Sequence, residues 1–439
     1  MSRPRVLLLG WEFPPLINGG LGIACLGMSK ALAKHADVSV IIPKADPDFI
    51  VDNVELIGLN TREISELKST DIRESYAEYE EHAFEEVTEF DVNILPYLGE
   101  QELERTAVKN KTTKVIEWQR LFKTITEEGL DLFKFGDLYG EDVIYKVIQF
   151  SKYAAAVALH KDFDIIHAHD WMTFLAGVEI KKLTGKPLAV HVHSLNYDRA
   201  GVDSRGWIYD VEKYAMEQAD LVLPVSHYTG DICHNHYGID RNKIFPVHNG
   251  AIPVETFQEE KGFSENLVLF LGRLTHQKGP EAFLEIASKV FERNNNVRFV
   301  MAGTGDKLIP LIESGAYKEV GDRFHFTGFL TRDKVNRLLA MADVYCMPSV
   351  SEPFGLSALE AAQFGIPAVI SKQSGVAEVL HTALKADFWD VDLMAKHIDD
   401  LVTDDKLRDS VIEGGYEDLK QLTWEACAEK VLSIFEKVI

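Results

Sequence analysis

Residues 342–360 read ADVYCMPSVSEPFGLSALE, an apolar run that continues into a loop and then into a helix-forming segment. A residue that precedes proline disfavours the α conformation, so Pro353 predicts that Glu352 lies on an extended loop leaving a strand. The helix is then expected to begin near Gly355 or Leu356. A strand, a loop and a helix in direct succession indicate one unit of a parallel α/β sheet.

Two carboxylates flank this predicted helix start, Glu352 before it and Glu360 roughly one turn inside it. The free backbone N–H groups at a helix N-terminus can hold a diphosphate without a metal ion. A carboxylate at the position of Glu360 can reach ribose hydroxyls. The stretch therefore indicates a nucleotide sugar as ligand. Spacing alone leaves open the alternative of a loop acid and an exposed helix acid that bind nothing.

The same alternation of short β-branched runs and longer amphipathic stretches extends along the whole chain, which predicts an α/β fold with two doubly wound parallel sheets. The strands expected in the first sheet are Arg5–Gly10, Val38–Pro43, Val92–Tyr97, Asp164–Ala168, Leu188–His193 and Leu221–Val225. Those expected in the second sheet are Asn266–Leu271, Val297–Ala302, Arg323–Thr327, Val344–Pro348 and Ala368–Ser371.

A length of 439 residues exceeds one ordinary core and predicts two domains with room for a cleft between them. The polar stretch 250–262 contains Pro and Gly and is typical of a hinge region. We therefore expect an N-terminal domain over residues 1–245 and a C-terminal domain over residues 246–422. The segment 62–90, rich in acids and aromatic residues, is interpreted as a solvated insertion or, alternatively, as a surface that stacks on a large sugar acceptor.

The charge balance restricts the partners. With 69 acidic against 46 basic residues the net charge is −23, which argues against nucleic acid and anionic membranes as partners. Four cysteines without CxxC spacing indicate free thiols in a reducing cytoplasm. Neither a signal peptide nor a membrane span is expected. The sequence leaves the choice between a monomer and a homo-oligomer open.

The first predicted strand leads into a loop with two glycines, Gly19 and Gly20, which would let the backbone approach a ligand at the carboxyl end of the sheet. The GxGxxG fingerprint is absent from this loop, which argues against an NAD-dependent oxidoreductase. The first strand of the second set is followed by Arg273 and Lys278 on one loop. Two cations so close in an acidic chain can bracket a diphosphate and stabilise it as it leaves.

The histidines form two close pairs, His167 with His169 and His191 with His193. Residues two apart on a strand share a face, so either pair could chelate a metal, and a metal-dependent hydrolase is an alternative of another class. A second alternative is that one histidine of each pair is buried and hydrogen-bonded. In the reading that we favour, Asp170 and His193 lie at strand ends and bind sugar hydroxyls at the reacting centre.

Together these residues resemble the glycogen/starch synthase family of retaining glucosyltransferases. The resemblance extends over most of the chain and is to the short form of the family, as found in archaea. The segments that carry it are NGGL (18–21), HAHDW (167–171), VHSL (192–195), VS (225–226), HNG (248–250), GRLTHQKG (272–279) and SEPFGL (351–356). It implies the GT-B fold, in which two Rossmann-like domains face a deep cleft and the last helix, 423–439 here, packs back on the first domain.

The resemblance also implies roles for single residues. The catalytic set would be Glu352, His193, Asp170, Arg273 and Lys278. Donor-binding residues would be Gly19, Gly20, Arg273, Lys278, Phe354, Gly355, Leu356, Ser357 and Glu360. No cofactor and no catalytic metal are expected.

The implied reaction is glycogen synthesis, in which glucose passes from ADP-glucose or UDP-glucose to the non-reducing end of an α-1,4-glucan with retention of configuration. Bacterial synthases that use ADP-glucose carry a lysine where this chain has Ile17, so the nucleotide stays open between the two. The alternative within the fold is a retaining transferase with a small sugar or lipid-linked acceptor.

Overall fold

The computed structural model describes residues 3–16, 19–62, 127–135, 137–140, 142–201, 204–317 and 320–439. The predicted strand Val92–Tyr97, the acidic segment from 63 to 90, and Ile17 lie outside these residues. Where the structure describes the chain, twelve strands form two parallel sheets of six, with helices between successive strands. The predicted α/β class with two doubly wound sheets is confirmed.

The two sheets have the same topology. The strands of the first are β1 (Arg5–Leu9), β2 (Asp37–Ile42), β3 (Val54–Gly58), β4 (Ile165–His169), β5 (Leu188–Val192) and β6 (Leu221–Pro224), in the spatial order β3-β2-β1-β4-β5-β6. Those of the second are β7 (Asn266–Leu271), β8 (Val297–Ala302), β9 (Phe324–Gly328), β10 (Val344–Met347), β11 (Ala368–Ser371) and β12 (Leu384–Ala386), in the order β12-β11-β10-β7-β8-β9. Each sheet therefore reverses its strand order between its first and fourth strands, at β1 and β4 and at β7 and β10.

Helices cover both faces of each sheet. In the first half they are α1 (Gly20–Leu32), α2 (Glu127–Phe135), α3 (Val143–Ala158), α4 (Trp171–Thr184), α5 (Asn196–Ala200), α6 (Trp207–Gln218) and α7 (His227–Tyr237). In the second half they are α8 (Pro280–Phe291), α9 (Leu308–Tyr317), α10 (Arg332–Met341), α11 (Leu356–Gln363), α12 (Val391–Thr403), α13 (Asp405–Gln421) and α14 (Trp424–Phe435). The helix predicted near Gly355 or Leu356 is α11 and begins at Leu356.

The predicted strands that lie within the described residues agree with the structure to within one residue at each end. Two strands were missed, β3 and β12, and both are edge strands that pair on one side only. β3 carries Glu55 in its interior and β12 is three residues long. Short or polar edge strands discourage pairing with other chains. For the same reason they lack the apolar run that predicts a strand.

The last helix lies on the first sheet. Trp424, Ala428, Val431 and Phe435 are buried in the same apolar cluster as β1 residues such as Leu8. The hydroxyl of Thr423 accepts a hydrogen bond of 3.1 Å from the N–H of Ala426 and caps the helix. A Cβ on Gly27 of α1 would lie 2.4 Å from the Trp424 ring, so the close approach of α1 and α14 requires glycine there.

Two segments connect the halves, residues 250–262, which form neither helix nor strand, and residues 422–424. They run side by side, because Ala251 N–H donates a hydrogen bond of 2.8 Å to the Leu422 carbonyl. No helix in the described part of the chain is long and apolar enough to cross a lipid bilayer.

Candidate active site

Most residues singled out in the sequence lie on the loops after four strands. Gly19 and Gly20 follow β1, Asp170 follows β4, the Arg273 to Lys278 segment follows β7, and Glu352 follows β10. These are the strands at which each sheet reverses its order, and crevices outside their carboxyl ends are the usual ligand sites of open α/β sheets. The topology therefore brings residues from distant parts of the sequence to the cleft.

Two helix N-termini face each other in this cleft. Helix α1 begins at Gly20 and helix α11 begins at Leu356, and no described side chain caps either start. A Cβ built on Gly20 would lie 3.2 Å from Cδ1 of Leu356, so the starts are in close approach. Gly355, which precedes α11, has φ of 108°, a conformation that other residues rarely adopt. Uncapped N–H groups from both domains are thus available to an anion.

An ion pair lies beside these helix starts. Nζ of Lys278 is 2.5 Å from Oε2 of Glu352, and their side chains are 22% and 8% exposed. The loops that carry them are pressed together, because a Cβ on Gly279 would lie 2.0 Å from the Pro348 carbonyl oxygen. The Glu352 backbone is fixed by its N–H, which donates to the Gln373 carbonyl at 2.9 Å. The predicted partners Lys278 and Glu352 are therefore held in contact, and Arg273 is exposed on the loop of Lys278.

The remaining residues of the predicted donor site have structural contacts of their own. Oε1 of Glu360 lies 2.8 Å from NH1 of Arg332, a cation that the sequence analysis did not single out. The Ser357 hydroxyl accepts a 2.7 Å hydrogen bond from Tyr345. Phe354 is buried, with its ring stacked 6.0 Å from that of His248. The side chains of Ser357 and Phe354 thus anchor the start of α11.

Asp170 occupies a strained position at the start of α4. It is a non-glycine residue with φ of 65° and is buried. Its N–H donates to the His191 carbonyl at 2.9 Å, and its carboxylate accepts a hydrogen bond of 3.3 Å from the N–H of Ser194. Burial raises the pKa of the Asp170 carboxyl to about 6, against the opposing charge of Arg199. Asp170 is therefore held in place by the backbone at the end of β5, and its carboxyl group is partly protonated just below neutral pH.

The four histidines of the two pairs form one stack at β4 and β5. His169 lies opposite His191 in the register of the two strands. The predicted sharing of a face is confirmed, and the two pairs are bonded to each other, with 2.9 Å between Nδ1 of His169 and Nε2 of His193. Burial lowers the pKa of His167 and His193 to about 3 and holds those of His169 and His191 well below the usual value. All four are neutral at physiological pH.

Hydrogen bonds between the domains close the cleft. The Ser351 hydroxyl donates to Oδ1 of Asp198 at 2.5 Å and lies 2.9 Å from the Tyr228 hydroxyl. The Ser226 hydroxyl donates to the Pro353 carbonyl at 2.7 Å. Burial raises the pKa of the Asp198 carboxyl, and the charge of Glu352 acts in the same direction. The sequence analysis missed Asp198, because its role depends on the contact with Ser351, which is distant in the sequence.

A second contact between the domains joins Glu378 to α7. Its carboxylate accepts hydrogen bonds from the N–H groups of His227, at 2.9 Å, and Tyr228, at 2.7 Å, and lies 2.7 Å from Nε2 of His248. Burial alone would raise the pKa of the Glu378 carboxyl, but these bonds hold it below its usual value. A helix start in the first half is thus capped by an acid from the second half.

Two groups of side chains lie close enough to share a metal ion. In each, the ligand atoms fall within 4.8 Å of one another: His167 with His169 and His191, and His227 with His248 and Glu378. The first group is buried and its imidazoles are bonded to each other. In the second group Glu378 is already engaged by two backbone N–H groups.

Comparison with known proteins gives matches in both halves of the chain. Residues 253–418 match the family described as Glycosyl transferases group 1, and residues 128–253 match Glycosyltransferase Family 4. An uncharacterized glycosyltransferase, MJ1607 of Methanocaldococcus jannaschii, is 29% identical over 98% of both chains. A glycogen synthase of Mycobacterium tuberculosis is 23% identical over 86% of this chain and 80% of its own. An alpha-maltose-1-phosphate synthase of Mycolicibacterium smegmatis is 28% identical over 62% of this chain and 79% of its own.

Solved structures share the architecture over its whole length. Sucrose-phosphate synthase of Thermosynechococcus elongatus has a TM-score of 0.68 at 17% identity and covers 99% of both chains. The catalytic domain of starch synthase IV from Arabidopsis thaliana, bound to ADP and acarbose, has a TM-score of 0.66 at 15% identity and covers 100% of this chain and 99% of its own. At such identities the agreement concerns the fold.

Proposed function

We propose that the chain, which has the GT-B fold and matches a glycosyltransferase family in each half, is a glycogen synthase. In the proposed reaction, glucose passes from ADP-glucose or UDP-glucose to the 4-hydroxyl at the non-reducing end of an α-1,4-glucan with retention of configuration. The observation that carries the proposal is the Lys278–Glu352 ion pair beside two opposed helix starts. This arrangement suits a sugar attached to a diphosphate.

We assign the diphosphate to the uncapped N–H groups at the starts of α1 and α11. Lys278 and Arg273 would balance the charge that develops on the diphosphate as its bond to the sugar breaks. Because Lys278 is already paired with Glu352, it is positioned before the donor binds. Glu360 would bind the ribose, and its contact with Arg332 fixes the direction of its carboxylate. No metal ion or cofactor takes part in this proposal.

The glucosyl unit would lie between Glu352 of the second domain and Asp170 and His193 of the first. The acceptor hydroxyl attacks C1 from the face that the diphosphate leaves, so the bond from C1 to the diphosphate breaks while the new glycosidic bond forms. The acceptor proton passes to the departing phosphate oxygen, and the configuration at C1 is retained. The contacts of Ser351 and Ser226 between the domains would exclude water from this step.

A second candidate acceptor is a small sugar phosphate or a related small molecule. It is favoured by two relatives whose names contain a small phosphorylated molecule. They are the alpha-maltose-1-phosphate synthase and a D-inositol 3-phosphate glycosyltransferase of Corynebacterium diphtheriae that is 26% identical over 66% of this chain and 73% of its own. The metal-dependent hydrolase is not proposed, because both matched families are transferases.

The test is release of nucleoside diphosphate by the purified protein, with ADP-glucose and UDP-glucose each offered to glycogen, maltose, glucose 1-phosphate and inositol 3-phosphate. We expect release that depends on glycogen and lengthening of its outer chains. Release with a phosphorylated acceptor and none with glycogen would replace the glucan acceptor with the small one. Release by neither acceptor class, with either donor, would contradict the proposal.

A further inference from the structure

The four histidines at the carboxyl ends of β4 and β5 form a continuous chain of hydrogen bonds. Nε2 of His193 lies 2.9 Å from Nδ1 of His169, Nε2 of His169 lies 3.4 Å from Nδ1 of His167, and Nε2 of His167 lies 3.1 Å from Nδ1 of His191. Both ring nitrogens of His169 and His167 are used. The chain therefore runs from His193, which is partly exposed, to His191, which is fully buried.

The two ends of this chain differ. At the inner end, Nε2 of His191 is buried and has no hydrogen-bond partner among the described residues. At the outer end, Nδ1 of His193 makes no hydrogen bond to a described side chain and is not among the buried unpartnered atoms, so it is open to the cleft. The outer nitrogen can meet water or substrate, and the inner nitrogen meets neither.

A neutral imidazole has one donor nitrogen and one acceptor nitrogen. Every link of the chain needs one of each, so the four rings have only two consistent arrangements. In one, all four protons are on Nε2, His191 buries an N–H group without an acceptor, and His193 offers a lone pair to the cleft. In the other, all four protons are on Nδ1, His191 buries a lone pair, and His193 offers an N–H group. Low pKa values keep the rings neutral in both.

Unpartnered buried N–H groups are rarer in folded proteins than unpartnered acceptors. We propose that the four histidines act as one tautomeric unit that holds the proton of His193 on Nδ1, so that the first domain presents a hydrogen-bond donor to an oxygen of the transferred sugar. The last step rests on the proposed function, whereas the tautomers do not. His169, His167 and His191 are positioning residues in this arrangement, and His193 is the group that touches the sugar.

The spectroscopic test is made on the wild-type protein. Histidine side chains in water carry the proton mainly on Nε2, so four Nδ1–H tautomers would be a state that the protein imposes. In protein labelled with ¹⁵N-histidine, long-range ¹H–¹⁵N correlation spectra separate protonated from unprotonated ring nitrogens. The signals of His193 are assigned as those lost in His193→Gln. We expect Nδ1–H at His193, and Nε2–H there would overturn the proposal.

Substitution of an inner ring tests the coupling. His169→Phe keeps an aromatic ring and breaks the link to His193, which frees His193 from the other three rings. We expect the His193 signals to shift towards the Nε2–H form and kcat/KM for the donor to fall about tenfold. His191→Phe leaves the buried Nε2 of His167 as the inner end, so His193 should keep its proton on Nδ1 there. An unchanged His193 tautomer in folded His169→Phe would contradict the coupling.

Phe435→Leu is the matched control, because Phe435 packs edge-on against His167 at 5.3 Å and contributes no nitrogen to the chain. It should leave the His193 tautomer unchanged. A stoichiometric zinc ion in the wild-type protein that is lost in His169→Phe would also overturn the proposal, because the ring nitrogens would then be metal ligands. If the wild-type protein transferred no sugar but showed Nδ1–H at His193, the proposed function would fail while the tautomeric unit stood.

Discussion

The two sheets have the same strand order, yet the edges that they present to the cleft differ in charge. The edge of the first sheet, at β4 and β5, carries neutral imidazoles and a carboxyl group whose pKa is about 6. The edge of the second, at β7 and β10, carries the Lys278–Glu352 ion pair and, nearby, the contact of Glu360 with Arg332. The fold is shared, so the difference lies in the loops. Under the proposed function, the charged side chains that act on the diphosphate come from the second domain, and the first domain adds the start of α1 together with Asp170 and His193 at the sugar.

The strongest test of this division removes the charges of the second edge. Lys278→Ala leaves Glu352 as an uncompensated acid, and Glu352→Gln leaves Lys278 without its partner, in a site where each side chain is largely buried. We expect kcat to fall by a factor of about 100 to 1,000 in each, because Lys278→Ala removes a cation that stabilises the leaving diphosphate and Glu352→Gln removes both the partner of that cation and the proposed sugar ligand. Steady-state nucleoside diphosphate release measures the effect.

Lys289→Ala is the matched control for the lysine substitution. Its ammonium group forms a 2.8 Å ion pair with Asp392, between α8 and α12 and away from the cleft loops. Activity within twofold of wild type is expected there. If Lys278→Ala behaved like Lys289→Ala, the second edge would not be the part of the cleft that handles the diphosphate.

The first edge is tested through the pH dependence of stability. The pKa of Asp170 is raised from 3.8 to about 6, mainly by burial, so the folded state binds a proton more tightly than the unfolded state. Its contribution to stability is therefore fully present below pH 3.8 and is lost as the pH rises through 6. The loss amounts to about 3 kcal/mol for a gap of about two pKa units.

Asp170→Asn removes this titration. Between pH 4 and 6.5 we expect the free energy of unfolding of the variant to gain about 2 kcal/mol relative to that of wild type, measured by urea denaturation. Glu179→Gln serves as a comparison, because burial raises the pKa of that acid to about 7 on α4, outside the cleft, and its window lies higher. Parallel curves for wild type and Asp170→Asn would show that burial does not raise the pKa of Asp170.

Features of the two edges that depend on a local sequence pattern could be predicted. The start of α11 at Leu356 follows from Pro353 and Gly355, and the common face of His167 and His169 follows from strand periodicity. The bonding of the two histidine pairs depends on β4 and β5 being neighbours in register. Apolar runs specify strands but not their order, so this contact could not be read from the sequence.

Residues whose role depends on a partner far away in the sequence could not be predicted either. Arg332 lies on α10, 28 positions before Glu360, and Asp198 lies 153 positions before Ser351. Neither has a distinctive neighbour in the sequence. The edge strands β3 and β12 were not predicted for a different reason. β3 has an acid in its interior and β12 is three residues long, so neither contains the apolar run by which strands are recognised in a sequence.

Glu360 gives a smaller effect on the charged edge. Glu360→Gln keeps the shape of the side chain and removes the charge that faces Arg332. If Glu360 binds ribose hydroxyls, we expect the donor KM to rise about tenfold with little change in kcat, because a hydrogen bond to a charged group contributes about 1.5 kcal/mol. Arg332→Ala should raise the donor KM less, since Glu360 keeps its charge. Equal and small effects of both would make the pair a structural contact alone.

The contact between the two edges should give the smallest effect. Ser226→Ala removes the 2.7 Å hydrogen bond to the Pro353 carbonyl, and Thr229, whose hydroxyl lies 3.3 Å from the same oxygen, can replace part of it. We therefore expect a loss of about 0.5–1 kcal/mol in the closed form, seen as a two- to fivefold rise in donor KM. Ser433→Ala, on the exposed side of α14, is the control and should leave KM unchanged. Because closure brings the edge with the imidazoles against the edge with the ion pair, a fall in kcat as large as that of Glu352→Gln would mean that the two edges act as one unit. Separate roles for the two edges would then be wrong.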